Sequence, residues 1–97
     1  LLEIRQKVVE YGQTAIVTTV KPEKNHRNIA YERFTSSGPL ALLPMANAFA
    51  VVWTRTHEQA ESLLALSETD FIEQLHDCFG YRLGKFSLQA PRRAFPL

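Results

Sequence analysis

The sequence predicts an α+β domain: a mostly antiparallel β-sheet with two helices packed on one face. Three observations carry that expectation. The first half breaks into runs rich in Val, Ile, Thr and aromatic residues, separated by turn residues. From Thr56 onward the apolar residues recur at helical spacing, and each helical run opens on a capping Thr or Ser. The composition is that of an ordinary folded protein, with 97 residues, 45% hydrophobic and 22% charged, enough for one domain with one modest core.

The elements follow in order. Leu1 to Gln6 reads as the tail of a helix or a connecting segment, and Val8 to Val20 as an extended strand with Gly12 as a bulge. Lys21 to Asn28 is polar and contains Pro22, hence a loop. Ile29 to Thr35 is a second strand, turned by Ser36-Ser37-Gly38 into a third, Pro39 to Met45. Ala46-Asn47 turns the chain again into Ala48 to Thr54. Thr56 then caps a short helix reaching Leu64, and Ser67 caps a second, with Glu68 and Asp70 suited to its dipole. Phe71, Ile72, Leu75, Cys78 and Phe79 form its apolar stripe, and Gly80 stops it. Leu83 to Leu88 and Arg92 to Leu97 are the final strands. There is no repeat and no low-complexity stretch.

The sheet carries an anomaly. A sheet with helices on one face and water on the other alternates apolar and polar residues. Pro39 to Met45 and Ala48 to Trp53 do not. Side chains in a strand point to opposite faces in turn, so Leu40 and Leu42 take one face and Ala41, Leu43 and Met45 the other. Ala50 and Val52 likewise oppose Val51 and Trp53. Two short helices cover one face only. Leaving the second wet costs roughly 25 cal/mol per Å² of apolar area, so it is expected to meet another domain, another subunit, a membrane or an apolar ligand. The competing reading is that the final strands or the N-terminal segment fold over it.

Several chemistries are disfavoured. A net charge of +1 makes no strong field for nucleic acid or an acidic membrane surface. The uncharged run Phe34 to Thr54 contains Pro39, Pro44, Gly38 and Asn47, so it reads as strands with turns and not as a membrane span. Cys78 has no partner for an internal disulfide, which fits a reducing compartment. His26, His57 and His76 have no metal-site spacing, and no metal is expected. No G-x-S-x-G, G-x-G-x-x-G or P-loop is present, and no catalytic residue is assigned. Arg92-Arg93 and the cluster from Lys21 to Arg27 read as solvated surface. Glu32 is the one acid placed to face a pocket, with a surface salt bridge as its alternative. The start at Leu1 and the apolar end Ala94-Phe95-Pro96-Leu97 are those expected of a piece of a larger protein.

Ala30-Tyr31-Glu32-Arg33-Phe34, followed by Gly38-Pro39-Leu40-Ala41-Leu42-Leu43-Pro44, resembles the middle segment of the FAD-dependent hydroxylases of ubiquinone biosynthesis. Tyr11 to Ala15, Val51-Val52-Trp53, Asp77 to Gly84 and Arg93 to Leu97 fit the same family in the same order, so the likeness covers nearly the whole chain. Within the family it is most similar to the branch acting on a 2-polyprenyl-6-methoxyphenol. The resemblance implies a parent enzyme that binds FAD, is reduced by NAD(P)H and hydroxylates a prenylated phenol. It implies that residues 1–97 are the substrate-binding domain, whose sheet covers the flavin ring. The FAD-binding parts of the same polypeptide would lie outside the chain, and this piece alone would be inactive.

By strand alternation and a loose similarity to hydroxybenzoate hydroxylases, Ala41, Leu43, Met45 and Trp53 would line the substrate pocket, with Glu32 or Phe34 at its edge. Those enzymes clamp a carboxylate with a strand arginine where this chain has Met45, which suits a neutral phenol with a greasy tail. The alternative for the four is core packing. The resemblance further implies a cytoplasmic protein, and leaves peripheral attachment at the inner membrane, membership of a biosynthetic complex and self-association open. Two other classes compete with it: a non-catalytic interaction or dimerisation module with an apolar sheet face, and a small carrier of hydrophobic ligands.

Overall fold

A computed structural model of the chain describes residues 12–97. The strands are β1 (Gln13–Pro22), β2 (Tyr31–Thr35), β3 (Gly38–Met45), β4 (Ala48–Thr56), β5 (Phe86–Leu88) and β6 (Arg93–Pro96). Helices α1 (His57–Ala65) and α2 (Glu68–Phe79) stand between β4 and β5. The fold is therefore the α+β arrangement that the change of period predicts. The expected residues from Leu1 to Gln6, and the start of the first strand at Val8, lie outside the described residues.

All pairings are antiparallel, in the order β2-β3-β4-β1-β5, with β6 also pairing β1. The final strands share one edge of β1: β6 lies beside Thr14 to Val17 and β5 beside Val20 to Pro22. Between them, Gln89 N–H donates to Thr19 O and Thr18 Oγ1 donates to Ala90 O, so that edge of β1 stays hydrogen-bonded across the gap. The final strands thus widen the sheet and do not fold across it. Gly12 precedes β1 and is no bulge, since Gln13 to Val20 pair Thr56 to Phe49 without interruption. The strand predicted from Leu83 is shorter, because Gly84, at φ 79, turns the chain first.

The two hairpins fix the registers. Ser36-Ser37 connects the pair Thr35↔Gly38, and Ala46-Asn47 connects Met45↔Ala48. Ala46 takes the left-handed conformation, at φ 48, that such tight turns demand of their first residue.

Both helices sit on one side. The Thr56 hydroxyl accepts from Gln59 N–H, while the Gln59 side chain accepts from Thr56 N–H, a complete capping box. Ser67 caps α2 by accepting from Asp70 N–H, and Gly80 ends it at φ 97. Ala60, Leu63, Phe71, Leu75 and Phe79 from the helices meet Ile16, Val20, Leu40, Leu42, Phe49, Val51 and Trp53 from the sheet in one core. Among the described residues, no helix is long and apolar enough to cross a membrane.

Two polar side chains hold the layers together. His76 is buried: its Nδ1 bonds Gly80 O at 2.9 Å, and its Nε2 accepts from Phe86 N–H at 3.0 Å. That pattern fixes the proton on Nδ1 and ties the end of α2 to β5. We expect His76→Leu to leave both backbone groups unpaired and to cost about 2–4 kcal/mol in urea unfolding. Arg92, expected in solvent, instead donates to Leu63 O and Leu66 O at the end of α1 and lies over the Phe71 ring at 4.9 Å. Helix C-terminal carbonyls attract such a cation, and here it arrives from the far end of the chain.

Candidate functional site

Residues directly opposite in adjacent strands share a face, so the registers sort every side chain of the sheet. Leu40 pairs Trp53, which pairs Ile16; Leu42 pairs Val51, which pairs Thr18. All of these are buried on the helix side. The other face holds a row running across five strands, Glu32↔Ala41↔Val52↔Val17↔Arg93. Beside it lie Leu43↔Ala50↔Thr19 and Met45↔Ala48 on one side, and Phe34↔Pro39 and Thr54↔Ala15↔Phe95 on the other.

No described element packs over this second face. Phe34 is 80% exposed, Phe95 50%, Met45 46% and Leu43 44%, a density of wet apolar side chains that isolated surface residues do not make. The face has a shape as well. Its centre, on β4 and β1, carries small or β-branched residues: Ala15, Val17, Thr19, Ala48, Ala50, Val52 and Thr54. The larger residues stand toward the margins: Phe34 and Glu32 on β2, Leu43 and Met45 on β3, Arg93 and Phe95 on β6. Glu32 and Arg93 occupy opposite ends of one row, four strand spacings of roughly 4.8 Å apart, too far to pair. Each stands exposed to solvent at its own rim of the face.

Of the six residues singled out in the sequence, Ala41, Leu43, Met45, Glu32 and Phe34 are brought onto this one face. Trp53 is not. It is 1% exposed, directly opposite Leu40, with its ring edge-on to Phe71 at 5.7 Å. The correction follows from the two-residue turn at Ala46-Asn47, which pairs Met45 with Ala48 and so Leu40 with Trp53. Counting outward from that turn finds the register in the sequence itself. Val52 follows from the same hairpin register as Ala41, whereas Val17, Arg93 and Phe95 reach this face only through pairings between strands distant in sequence.

Reactive groups are few on either side. No group of three His, Cys, Asp or Glu among the described residues is placed to hold a metal ion. Cys78 is partly buried against the core, and burial pushes its thiol up, partly offset by the charges of Arg55 and Arg33. It therefore stays a thiol at neutral pH. Alkylation of the folded chain by iodoacetamide should be slower than that of a free thiol, with its pH profile displaced upward; a fast, unshifted profile would contradict this burial.

The sheet is layered with helices on one side, and on the other its exposed large apolar residues Phe34, Leu43, Met45 and Phe95 share one face. No family model matches the chain. Individual proteins do. It is 38% identical over 98 residues to an uncharacterised protein, slr1300, of Synechocystis, spanning 100% of this chain and 24% of that protein. It is 41% identical over 92 residues to the ubiquinone hydroxylase UbiL of Rhodospirillum rubrum, spanning 94% of this chain and 21% of that one. It is 37% identical over 71 residues to the human mitochondrial ubiquinone biosynthesis monooxygenase COQ6, spanning 71% of this chain and 15% of that one. The chain belongs to the family of the ubiquinone-biosynthesis hydroxylases. It spans about a quarter or less of the length of these relatives.

Proposed function

We propose that this chain is the substrate-facing sheet of an FAD-dependent monooxygenase, reduced by NAD(P)H, that hydroxylates a polyprenylated methoxyphenol in ubiquinone biosynthesis. The observation that carries the reading is the bare apolar face. Its support is the agreement between that face and relatives named as a ubiquinone hydroxylase and a ubiquinone biosynthesis monooxygenase.

The residues present do not fit the dinucleotide itself. Gly12, Gly38, Gly80 and Gly84 form no phosphate-cradling glycine loop. On this reading the segments that hold FAD lie elsewhere in the same polypeptide. FAD, when bound there, supplies the oxygen chemistry. What this chain's residues do is enclose and orient. Ala41, Val52 and Ala50 offer a floor low enough for a flat ring to approach, and Leu43, Met45 and Phe34 wall it and exclude water. Glu32, at the margin, has a carboxylate that can accept a hydrogen bond from the phenol. The absence of an arginine beside Met45 suits a neutral phenol.

The test is the absorption spectrum of the full-length protein, followed by NAD(P)H oxidation with a prenylated methoxyphenol. A bound-flavin spectrum with substrate-stimulated oxidation is expected. A full-length product without flavin contradicts the reading. A second reading, that the face is a dimerisation surface, is favoured by one feature: Phe34, the most exposed of the large apolar side chains, stands on the outer strand β2. Sedimentation of the full-length protein and its Phe34→Ser variant distinguishes the two.

A further inference from the structure

An open sheet ends in two edges, and this one protects only the edge formed by β5 and β6. There β5 is three residues long, and its Phe86 N–H is taken by His76 Nε2. Pro91 precedes β6 and Pro96 ends it. Short strands and prolines keep an edge from pairing with another chain. The opposite edge, β2, has neither protection: it runs for five residues without proline, glycine or bulge.

The hairpin decides which backbone groups of β2 are free. Pro39 has no N–H to give, so Phe34↔Pro39 is a pair without hydrogen bonds. Thr35, Arg33 and Tyr31 therefore exchange bonds with Gly38, Leu40 and Leu42. The N–H and C=O of Glu32 and Phe34 point the other way, where no described strand lies. Both side chains are exposed as well. Arg33, the one cation of β2, is drawn to the helix side and lies over the Phe79 ring at 5.2 Å.

We infer that β2 pairs edge to edge with β2 of a second copy of this chain, antiparallel about a two-fold axis at Phe34. Free backbone groups must meet free ones, and opposed side chains must share a face, so the charges select the register. An axis at Glu32 sets two carboxylates directly opposite each other, and an axis at Arg33 sets two guanidinium groups so. An axis at Phe34 opposes the two aromatic rings, Glu32 with Ser36, and Arg33 with Thr35. No like charges then meet, and the aromatic pair adds to the strand bonds. The bare faces of both copies lie on the same side of one continuous sheet, uncovered, with the Phe34 rings at their shared margin. This pairing is thus distinct from face-to-face association and does not depend on the substrate reading.

The test is disulfide trapping in the full-length protein, with Cys78→Ser as the parent that sets the background. Opposed residues of a hydrogen-bonded pair have Cα atoms about 5.5 Å apart, within reach of a disulfide. Phe34→Cys should give a covalent dimer on mild oxidation. Glu32→Cys should not, because it opposes Ser36 and not itself. Glu32→Pro, added to Phe34→Cys, removes an outward N–H and no bond to β3, and should lower the dimer yield about tenfold. Should that proline unfold the hairpin, the two cysteine variants still decide. Leu43→Ser, on the bare face, should leave the yield unchanged. No dimer from Phe34→Cys means that another segment of the polypeptide covers this edge, and overturns the inference. Equal yields from both cysteine variants mean random collision, and a yield lost with Leu43→Ser means contact through the face; each overturns it as well.

Discussion

Trp53→Ala should destabilise the chain by about 3–5 kcal/mol, a large share of the stability of a domain this size. The indole fills the space between Leu40, Ile16 and the Phe71 ring of α2, and it is fully enclosed. Alanine leaves a cavity that neighbouring strands, held by hydrogen bonds on both sides, cannot collapse to fill. Urea unfolding followed by circular dichroism measures the loss. Trp53→Phe should cost much less, because a ring is kept and the indole N–H has no partner to lose. If Trp53 instead faced a ligand pocket on the bare side, its truncation would change stability by no more than about 0.5 kcal/mol.

The second large effect is the mirror image of the first. Ala41→Lys should leave the fold nearly as stable as before and abolish function in the full-length protein. Ala41 lies mid-row on the bare face, with Glu32 directly opposite on one side and Val52 on the other. In this chain the new ammonium has both water and a carboxylate within reach, so the cost should stay within about 1 kcal/mol. In the full-length enzyme the same charge would be driven into a dry site beside the ring it must orient. Substrate-stimulated NAD(P)H oxidation should fall by about a hundredfold or more. Unchanged oxidation would remove Ala41 from the site. Together the two variants separate the faces: one governs stability, the other activity.

The fold was readable because its signals are local. Thr56, Ser67 and Gly80 mark helix ends by chemistry that acts within a few residues, and the strands sit between turn residues. The lack of alternation in Pro39 to Met45 and Ala48 to Trp53 makes a second apolar face legible in the sequence itself. What stayed hidden depends on distant partners. Alternation within one strand does not say which face Trp53 takes; the register across the Ala46-Asn47 turn does, and it places Trp53 opposite Leu40 on the helix side. His76 ties the end of α2 to Phe86 N–H, a partner ten residues on that helical spacing does not reveal. Arg92 caps carbonyls 29 and 26 residues earlier, which no spacing rule contains. Of the candidate site, the β2 and β3 half was legible. The β1 and β6 half, Val17, Arg93 and Phe95, was not, because β6 reaches the sheet only through β1.

The central claim is that the bare face is covered by the rest of the full-length polypeptide and by its substrate. The most direct test is the reaction of a cysteine placed at Leu43 with a maleimide, in a Cys78→Ser background. Leu43 is 44% exposed and lies beside Ala50 on that face. The account predicts fast modification in this chain, slower modification in the full-length protein, and a further slowing when a prenylated methoxyphenol is added. Equal rates in the chain and the full-length protein, unaffected by the phenol, would contradict it.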